Sequence, residues 1–320
     1  MSTPRPLILA DSHIPFLKGL LEAYAEVRYL DPTAINAAAV READALLVRT
    51  RTHCNAALLE GSRVRCIATA TIGYDHIDTA YCRQHGIAWS NAPGCNANSV
   101  VNYVASACQS VFGRLQGRCI GIIGAGQVGG RVARWAESQG MRVLLNDPPR
   151  AAREGVERFV SRQTLCREAD IVTVHTPLDD STRHLIDRRF LAECQPHALL
   201  INAARGPIAD TEALLEAGQT LVIDCWENEP EISRALLARV RFGTPHIAGY
   251  SQDGKLRGTQ QAVEAICRHF GWELPPMPVL PAFQGGPYDI LADSEALKAH
   301  PEQFESLRNH YPVRRDFYQF

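Results

Sequence analysis

Three side chains with complementary chemistry follow apolar runs in the second half of the chain: Arg205, Glu229 and His246. Arg205 ends Ile201-Asn202-Ala203-Ala204 and precedes Gly206, so a guanidinium fork stands where a buried strand gives way to a constrained turn. That fork suits a carboxylate. His246 sits between Pro245 and Ile247 in an otherwise apolar turn, and imidazole is the side chain that exchanges a proton near neutrality. Glu229, followed by Pro230, offers a carboxylate to one ring nitrogen and leaves the other for substrate. Taken alone, a histidine is more often structural, whereas for Arg205 the constrained turn at Gly206 argues against a surface arginine. Together on neighbouring loops, the three read as a proton-transfer site with an anion clamp.

A second reactant is implied by Gly124-Ala125-Gly126-Gln127-Val128-Gly129, which follows the apolar run Cys119 to Ile123 and opens a helical period from Val128 to Gln139. Met141 to Asn146 reads as the next strand, closed by Asp147. Strand, glycine turn, helix, strand and acid form the context a dinucleotide fingerprint needs. The first glycine permits the tight turn, the second lets backbone approach a pyrophosphate, and the third lets helix pack on strand. The chain has no Gly-x-x-x-x-Gly-Lys loop, and its 11 histidines show no HExxH spacing. Phosphoryl transfer and metal chemistry are therefore disfavoured, and no metal site is expected. Hydride transfer between a nicotinamide and a carbon bearing hydroxyl next to carboxylate fits what remains.

The elements that must position these residues alternate along the chain. Pro6 to Ala10, Val27 to Leu30, Ala45 to Thr50, Val64 to Ala68 and Ile87 to Ser90 read as strands, with helices at Phe16 to Tyr24 and Thr79 to His85. Asn96 to Phe112 reads as a long connecting helix, and after Arg118 further strands are expected at Arg158 to Val160, Ile171 to His175, Ala198 to Asn202 and Leu221 to Asp224. A helix from about Gly254 to Phe270 carries the chain out of the nucleotide domain. The tail after Pro275 is too short for its own core, so it is expected to pack on the first unit or on a second subunit.

Composition sets the outer limits. The 320 residues favour two domains, and a 46% hydrophobic content argues against disorder. A net charge of -2 gives no steering toward nucleic acid, and no apolar run is long enough to span a membrane. The 10 cysteines form no CxxC pair and no secretory leader is evident, so buried free thiols in a cytoplasmic protein are expected.

Taken as a set, the motifs make the chain similar to the D-isomer-specific 2-hydroxyacid dehydrogenases. The resemblance rests on Gly124 to Gly129, Ile201 to Gly206, Asp224-Cys225-Trp226-Glu227-Asn228-Glu229-Pro230 and Thr244 to Gly249. Ala70 to Asp78, Ala92 to Ala97, Asn146 to Arg150 and His246 to Tyr250 narrow it to members acting on a small phosphorylated hydroxy acid. It implies an α/β fold of two Rossmann-like or flavodoxin-like parallel-sheet domains, the nucleotide domain inserted in the outer substrate domain, plus a short C-terminal extension. The boundaries expected are 1–96 for the first part of the outer domain, 97–253 for the NAD-binding domain with its connecting helix, 254–274 for the return helix and 275–320 for a shortened extension with a possible dimer contact.

The implied activity is NAD-dependent oxidation of the hydroxy acid to a 2-oxo acid by a homodimer. A dehydrogenase for another D-2-hydroxy acid, such as 3-phosphoglycerate, and a non-catalytic NAD-sensing scaffold remain as alternatives. Carried over by motif, Arg205, Glu229 and His246 are catalytic, and Thr50, Thr71 and Tyr250 touch substrate. Gly124, Gly126, Gln127, Val128, Gly129, Asp147, Thr176, Ala203, Ala204, Arg205, Asp224 and Gly249 line the cofactor site. For a distal phosphate the candidates are Arg49 beside Thr50, Tyr250, and, if the tail folds over an active site, Arg314 and Arg315, otherwise a solvated patch. Asn102 departs from the acidic residue that many relatives carry on the connecting helix.

Overall fold

The computed structural model describes residues 5–320. Its first sheet contains β1 (Leu7–Asp11), β2 (Glu26–Leu30), β3 (Ala45–Val48), β4 (Cys66–Thr69) and β5 (Ala88–Ser90), all parallel, in the order β2-β1-β3-β4-β5. β1, β3 and β4 are nearly continuous apolar runs because both faces are covered. One face buries Ile8, Leu47 and Ala68 against Leu17, Leu21 and the helix Gln252–Phe270; the other buries Leu9, Leu46 and Ile67 against Val40, Leu58 and Cys82. This unit comprises the described residues up to Asn96 together with Gln252–Ala282, so the second unit interrupts it in sequence.

The helix expected at Phe16 to Tyr24 does not form, and that stretch is a series of turns. Phe16 and Gly19 take left-handed backbone, at φ 61° and 92°, which breaks any helical ladder while Leu17, Leu20 and Leu21 still reach the core.

The second unit holds Ala97–Ser251 and Phe283–Phe320. Its sheet is built from β6 (Cys119–Ile123), β7 (Arg142–Asn146), β8 (Ile171–Val174), β9 (Leu199–Asn202), β10 (Thr220–Ile223) and β11 (Phe242–Gly243), in the order β11-β10-β9-β8-β6-β7. All pairs are parallel. The order reverses between β6 and β8, and the crevice at the carboxyl ends of those strands is where open sheets of this kind take ligands. Ile120 and Ile122 face a core shared with the connecting helix Ala97–Phe112 and with Trp135 of the helix Gln127–Ser138. On the opposite face Ile123, Val172 and Val174 join Phe190, Leu214 and Leu236 from short helices.

Those helices, which hydrophobic period alone did not signal, begin where the sequence supplies side-chain caps. Asp147, Ser161, Asp187, Asp210 and Ser233 each accept a backbone N–H of the first turn. The strand expected at Arg158 to Val160 is absent. Val160 makes one backbone bond to Leu145, 2.8 Å, and its carbonyl accepts Asn146 Nδ2, so the segment lies along β7 without extending a ladder.

The tail stays with the first unit as expected up to Ala282, but from Phe283 on it departs from expectation and packs on the nucleotide unit. Ile290 enters the core under the connecting helix, while Leu297 and Phe304 enter the core on the other face of the sheet. The helix Ile290–Ala299 runs beside the edge strand β11, where Ser294 Oγ accepts the N–H of Gly243 at 3.1 Å. That bond satisfies one backbone donor of the edge strand. Asn102 holds the end of the tail: its Oδ1 accepts the N–H groups of Phe317 and Tyr318, and its Nδ2 donates to the Tyr318 carbonyl. An acid at this position could accept but not donate.

Candidate active site

The nucleotide turn starts at Gly124, whose φ of 85° is a left-handed conformation and whose absent Cβ would lie 2.8 Å from the His175 carbonyl carbon. At Gly129 a Cβ would lie 2.0 Å from the Gly124 oxygen, so helix and strand approach at backbone distance. Gly126 is different: a Cβ there would meet nothing within 4 Å, and no side chain caps the helix Gln127–Ser138 that it precedes. The first turn of that helix thus has no side-chain cap for its N–H groups, and the positive end of the helix lies behind it. Across the switch point, Thr176 Oγ1 is buried with no hydrogen-bond partner among the described residues. Open glycine, uncapped helix and orphaned hydroxyl fit a bound dinucleotide.

Asp147 braces this turn. Its Oδ2 accepts the N–H of Ala125 at 2.9 Å and its Oδ1 the N–H of Arg150 at 3.0 Å. Arg150 donates to the Ala125 carbonyl and forms a two-pronged contact with Glu154, at 2.8 and 2.6 Å. Pro148 and Pro149 occupy the first positions of the helix Pro148–Glu154, where a residue without an N–H leaves nothing unsatisfied.

The proton-transfer pair lies on the loops after β10 and β11. His246 Nδ1 is 2.8 Å from Glu229 Oε2, and Glu229 Oε1 accepts the N–H of Trp226 at 2.8 Å. With Nδ1–H donating to the carboxylate, Nε2 keeps its lone pair. The two side chains retain 27% and 18% of their exposure, enough for a reactant to reach the ring. Burial raises the Glu229 carboxyl, but the His246 hydrogen bond and charge, the Trp226 N–H and the Arg308 guanidinium outweigh it and leave the group below its ordinary value.

His246 itself has φ 56°, an uncommon backbone for a non-glycine residue. Asp224, fully buried, imposes it. Its Oδ1 accepts Thr244 Oγ1 and the Ile247 N–H, its Oδ2 accepts the Ala248 N–H, and its carbonyl accepts the His246 N–H. Desolvation pushes the Asp224 carboxyl upward, opposed by His246 and those hydrogen bonds. Asp224 thus acts on the loop that carries His246 and Gly249, and its own oxygens face protein donors.

Arg205 is partly buried, and its loop is pinned by Asn202, whose Nδ2 donates to the Arg205 carbonyl at 3.0 Å and whose Oδ1 accepts the Ala204 N–H. A Cβ at Gly206 would lie 1.8 Å from the Trp226 carbonyl oxygen, so only glycine lets the Arg205 loop press against the Trp226 to Glu229 loop. Ala203 and Ala204 occupy the same turn after β9. Cys225 joins the cluster: Cys225, Glu229 and His246 present potential metal-ligating atoms all within 4.8 Å of one another. Burial first, then Asp224 and Glu229, raise the Cys225 thiol well above its ordinary value, and Sγ donates to the Ala204 carbonyl at 3.3 Å. A thiol held protonated is a poor metal ligand.

Thr50 and Thr71 belong to the first unit, after β3 and β4; Thr71 Oγ1 bonds Thr69 Oγ1 at 2.8 Å and donates to the Gly73 carbonyl. Arg49 donates to the His13 carbonyl in that unit. Tyr250, in the second unit, follows Gly249 on the His246 loop. Of the alternatives weighed for Arg314, the solvated patch is overturned by its burial. Only 8% exposed, it donates to the Ala248 and Ser99 carbonyls and lies over the Tyr288 ring at 4.4 Å. It is not a solvated charge, and its Nε and Nη1 are buried with no hydrogen-bond partner among the described residues.

Three participants escaped sequence reasoning. Trp226 supplies the N–H to Glu229 and an indole N–H to the Thr244 carbonyl at 2.9 Å, and its place in Asp224 to Pro230 was the available signal. Thr244 bonds Asp224 and Tyr103. Arg308, on the tail helix Phe304–Asn309, donates Nε to Tyr250 Oη at 3.2 Å and carries no motif.

Comparison with known proteins agrees with the geometry. The family model for the NAD binding domain of D-isomer specific 2-hydroxyacid dehydrogenases matches residues 97–248. The chain is 46% identical to the erythronate-4-phosphate dehydrogenase of Bacteroides thetaiotaomicron, with 97% of each chain covered. It is 44% identical to the enzyme of that name from Azotobacter vinelandii, over 97% of this chain and 92% of the relative. Among solved structures, an NAD+-bound 3-phosphoglycerate dehydrogenase from Entamoeba histolytica superposes with a TM-score of 0.71 at 24% identity, covering 86% of this chain and all of that one, a likeness of fold.

Proposed function

The chain belongs to the D-isomer-specific 2-hydroxyacid dehydrogenases, an NAD-dependent family, and within it we propose that this enzyme oxidises 4-phospho-D-erythronate to (R)-3-hydroxy-2-oxo-4-phosphooxybutanoate, a step in pyridoxal 5'-phosphate biosynthesis. The observation that carries the reading is the Trp226–Glu229–His246 relay beside Arg205, in a unit whose glycine turn and orphaned Thr176 fit a dinucleotide.

NAD, when bound, supplies the acceptor for the hydride from C2. Arg205 grips the substrate carboxylate and fixes C2, which removes much of the orientational cost of the encounter. As the C2–H bond breaks, His246 Nε2 takes the proton of the C2 hydroxyl, whose oxygen becomes the carbonyl. Positive charge arrives on the ring, and Glu229 balances it through the 2.8 Å contact at Nδ1. Asp224 keeps the loop in its left-handed turn, so the ring need not search for its position. Thr50 and Thr71 remain assigned to substrate through the family resemblance, and Tyr250 through that and its place after Gly249.

We also read the enzyme as a cytoplasmic homodimer. All 10 cysteines are free and buried, which suits a reducing compartment, and Leu291, Val313 and Phe317 of the tail region are exposed apolar groups. No helix among the described residues is long and apolar enough to cross a membrane.

The test is NADH formation with 4-phospho-D-erythronate, D-erythronate and 3-phospho-D-glycerate at one NAD concentration. A clear preference for the four-carbon phosphate is expected. Turnover of 3-phospho-D-glycerate at equal or higher kcat/KM would move the enzyme to another substrate, and NAD binding with no turnover of any 2-hydroxy acid would make it a sensor.

A further inference from the structure

Arg308 is a guanidinium brought to the reacting groups by a helix outside every motif of the nucleotide domain. The helix Phe304–Asn309 is anchored by Phe304, 1% exposed in the sheet core, with Leu307 packed against the same cluster. That anchoring presents Arg308 to the His246 loop, where Nε donates to Tyr250 Oη at 3.2 Å. Tyr250 is in turn held edge-on by the Tyr311 ring, centroids 6.0 Å apart. The side chain is partly buried, and burial works against its charge, but Tyr250 and Glu229 more than compensate and hold it protonated. Arg205 and Arg308 both oppose the rise that burial imposes on the Cys225 thiol, so two cations lie near the loop that carries Cys225 and Glu229.

The two cations are not equivalent. Arg205 sits at the end of β9, where the carboxylate clamp is assigned. Among the described residues no carboxylate pairs with Arg308 within 4.0 Å, and neither of its terminal Nη groups has a hydrogen-bond partner. A partly buried fork with its two outer donors unused is matched to an incoming oxyanion with several acceptor oxygens. Arg314 differs in burial: it is 8% exposed, its Nη2 donates to the Ala248 carbonyl, and its Nε and Nη1, although without a hydrogen-bond partner among the described residues, are shut in beside the Tyr288 and Tyr311 rings.

Resting on the proposed substrate, which carries an anion at each end, we propose that Arg308 receives the distal phosphate, with the Tyr250 hydroxyl beside it, and is the residue that makes this site prefer a phosphorylated hydroxy acid. The tail is then part of the substrate site as well as of the fold.

The experiment compares wild type with Arg308→Gln on 4-phospho-D-erythronate and on D-erythronate, following kcat/KM by NADH formation, with NAD affinity and thermal unfolding measured on both proteins. Loss of one charge-assisted contact is expected to lower kcat/KM for the phosphorylated acid by about 10²-fold while changing that for D-erythronate less than threefold. Arg308→Lys, which keeps a charge without the fork, should recover part of the loss. A variant that folds and binds NAD as wild type does but retains the full phosphate preference would overturn the Arg308 assignment alone. Equal losses on both substrates would also overturn it, assigning Arg308 to support of Glu229. If wild type itself shows no preference for the phosphorylated acid, the substrate reading and the Arg308 assignment fall together.

Discussion

Replacing Glu229 with Gln leaves shape and volume nearly unchanged but sets two demands against each other. In the native site both carboxylate oxygens accept, one from Trp226 N–H at 2.8 Å and one from His246 Nδ1–H at 2.8 Å. Glutamine has one acceptor and one donor end. If its oxygen faces Trp226, its amide N–H faces Nδ1, and the imidazole must move its proton to Nε2, where the lone pair for the substrate hydroxyl is needed. The comparable Asp to Asn change in a catalytic triad lowers kcat by about 10⁴. If the amide turns over, the His246 tautomer is kept, but two N–H groups confront one another at Trp226, and the charge that balances the protonated ring is gone. Loss of a charged hydrogen bond costs about 1.5–3 kcal/mol, or roughly 10- to 10²-fold. Either orientation is impaired, so kcat/KM in the oxidative direction should fall by between about 10-fold and 10⁴-fold, with NAD affinity within about a factor of two. Steady-state NADH formation, cofactor titration by fluorescence and a thermal melt separate these effects. A folded Glu229→Gln enzyme within threefold of wild type would show that the His246 tautomer is not set by Glu229, and the relay would have to be abandoned.

Asp147 would meet an adenosine 2′-phosphate with like charge, and Arg150 is already engaged by Glu154, so kcat/KM should favour NAD over NADP by about 10²-fold; comparable values would reject that role of Asp147. Gly129→Ala places a methyl 2.0 Å from the Gly124 oxygen, and because the obstacle is backbone, a loss of at least about 1–3 kcal/mol in urea denaturation together with weakened NAD binding is expected. Unchanged values would mean that the turn and helix can separate freely. Burial pushes His175 down to about 3, whereas in the unfolded chain it takes a proton near 6.5. Its stabilising contribution is therefore complete above that value and lost as pH falls from about 6.5 toward 3, by up to about 1.4 kcal/mol per pH unit. His175→Gln should flatten the acid limb of stability against pH, and an unaltered slope would show that the ring protonates in the folded state.

Which parts of this molecule can be read without coordinates follows from the range over which each signal acts. Gly124 to Gly129 is a local device whose requirements, a left-handed turn and a backbone contact, are written within six residues. Glu229 and His246 were legible as chemistry because the loops after successive strands of a parallel sheet emerge at one edge, which brings them together whatever lies between. Arg308 follows no such rule. Its position depends on Phe304 finding the sheet core, a contact with no periodic trace in a polar segment. Asn102 shows the same gap: one uncharged residue on the connecting helix looked incidental until the tail's N–H and carbonyl groups were seen to need a partner that both accepts and donates. The false helix at Phe16 to Tyr24 failed for the opposite reason, since its apolar spacing was real and the left-handed residues within it overruled the pattern.

The interrupted first unit has a consequence for synthesis on the ribosome. Ile8, Leu47 and Ala68 emerge early, yet the helix that covers them, with Ala262, Val263 and Ile266, is translated only after the whole of Ala97–Ser251. At about 5–20 residues per second the gap lasts roughly ten to thirty seconds, during which one apolar face of the first sheet has no permanent cover. The inserted unit meets the same delay at its own end, because the cores that receive Ile290, Leu297 and Phe304 stay open until the tail is made. The first unit waits for Ala97–Ser251 to be made and the second waits for Gln252–Ala282, so the nascent chain carries two unfinished surfaces that close one after the other.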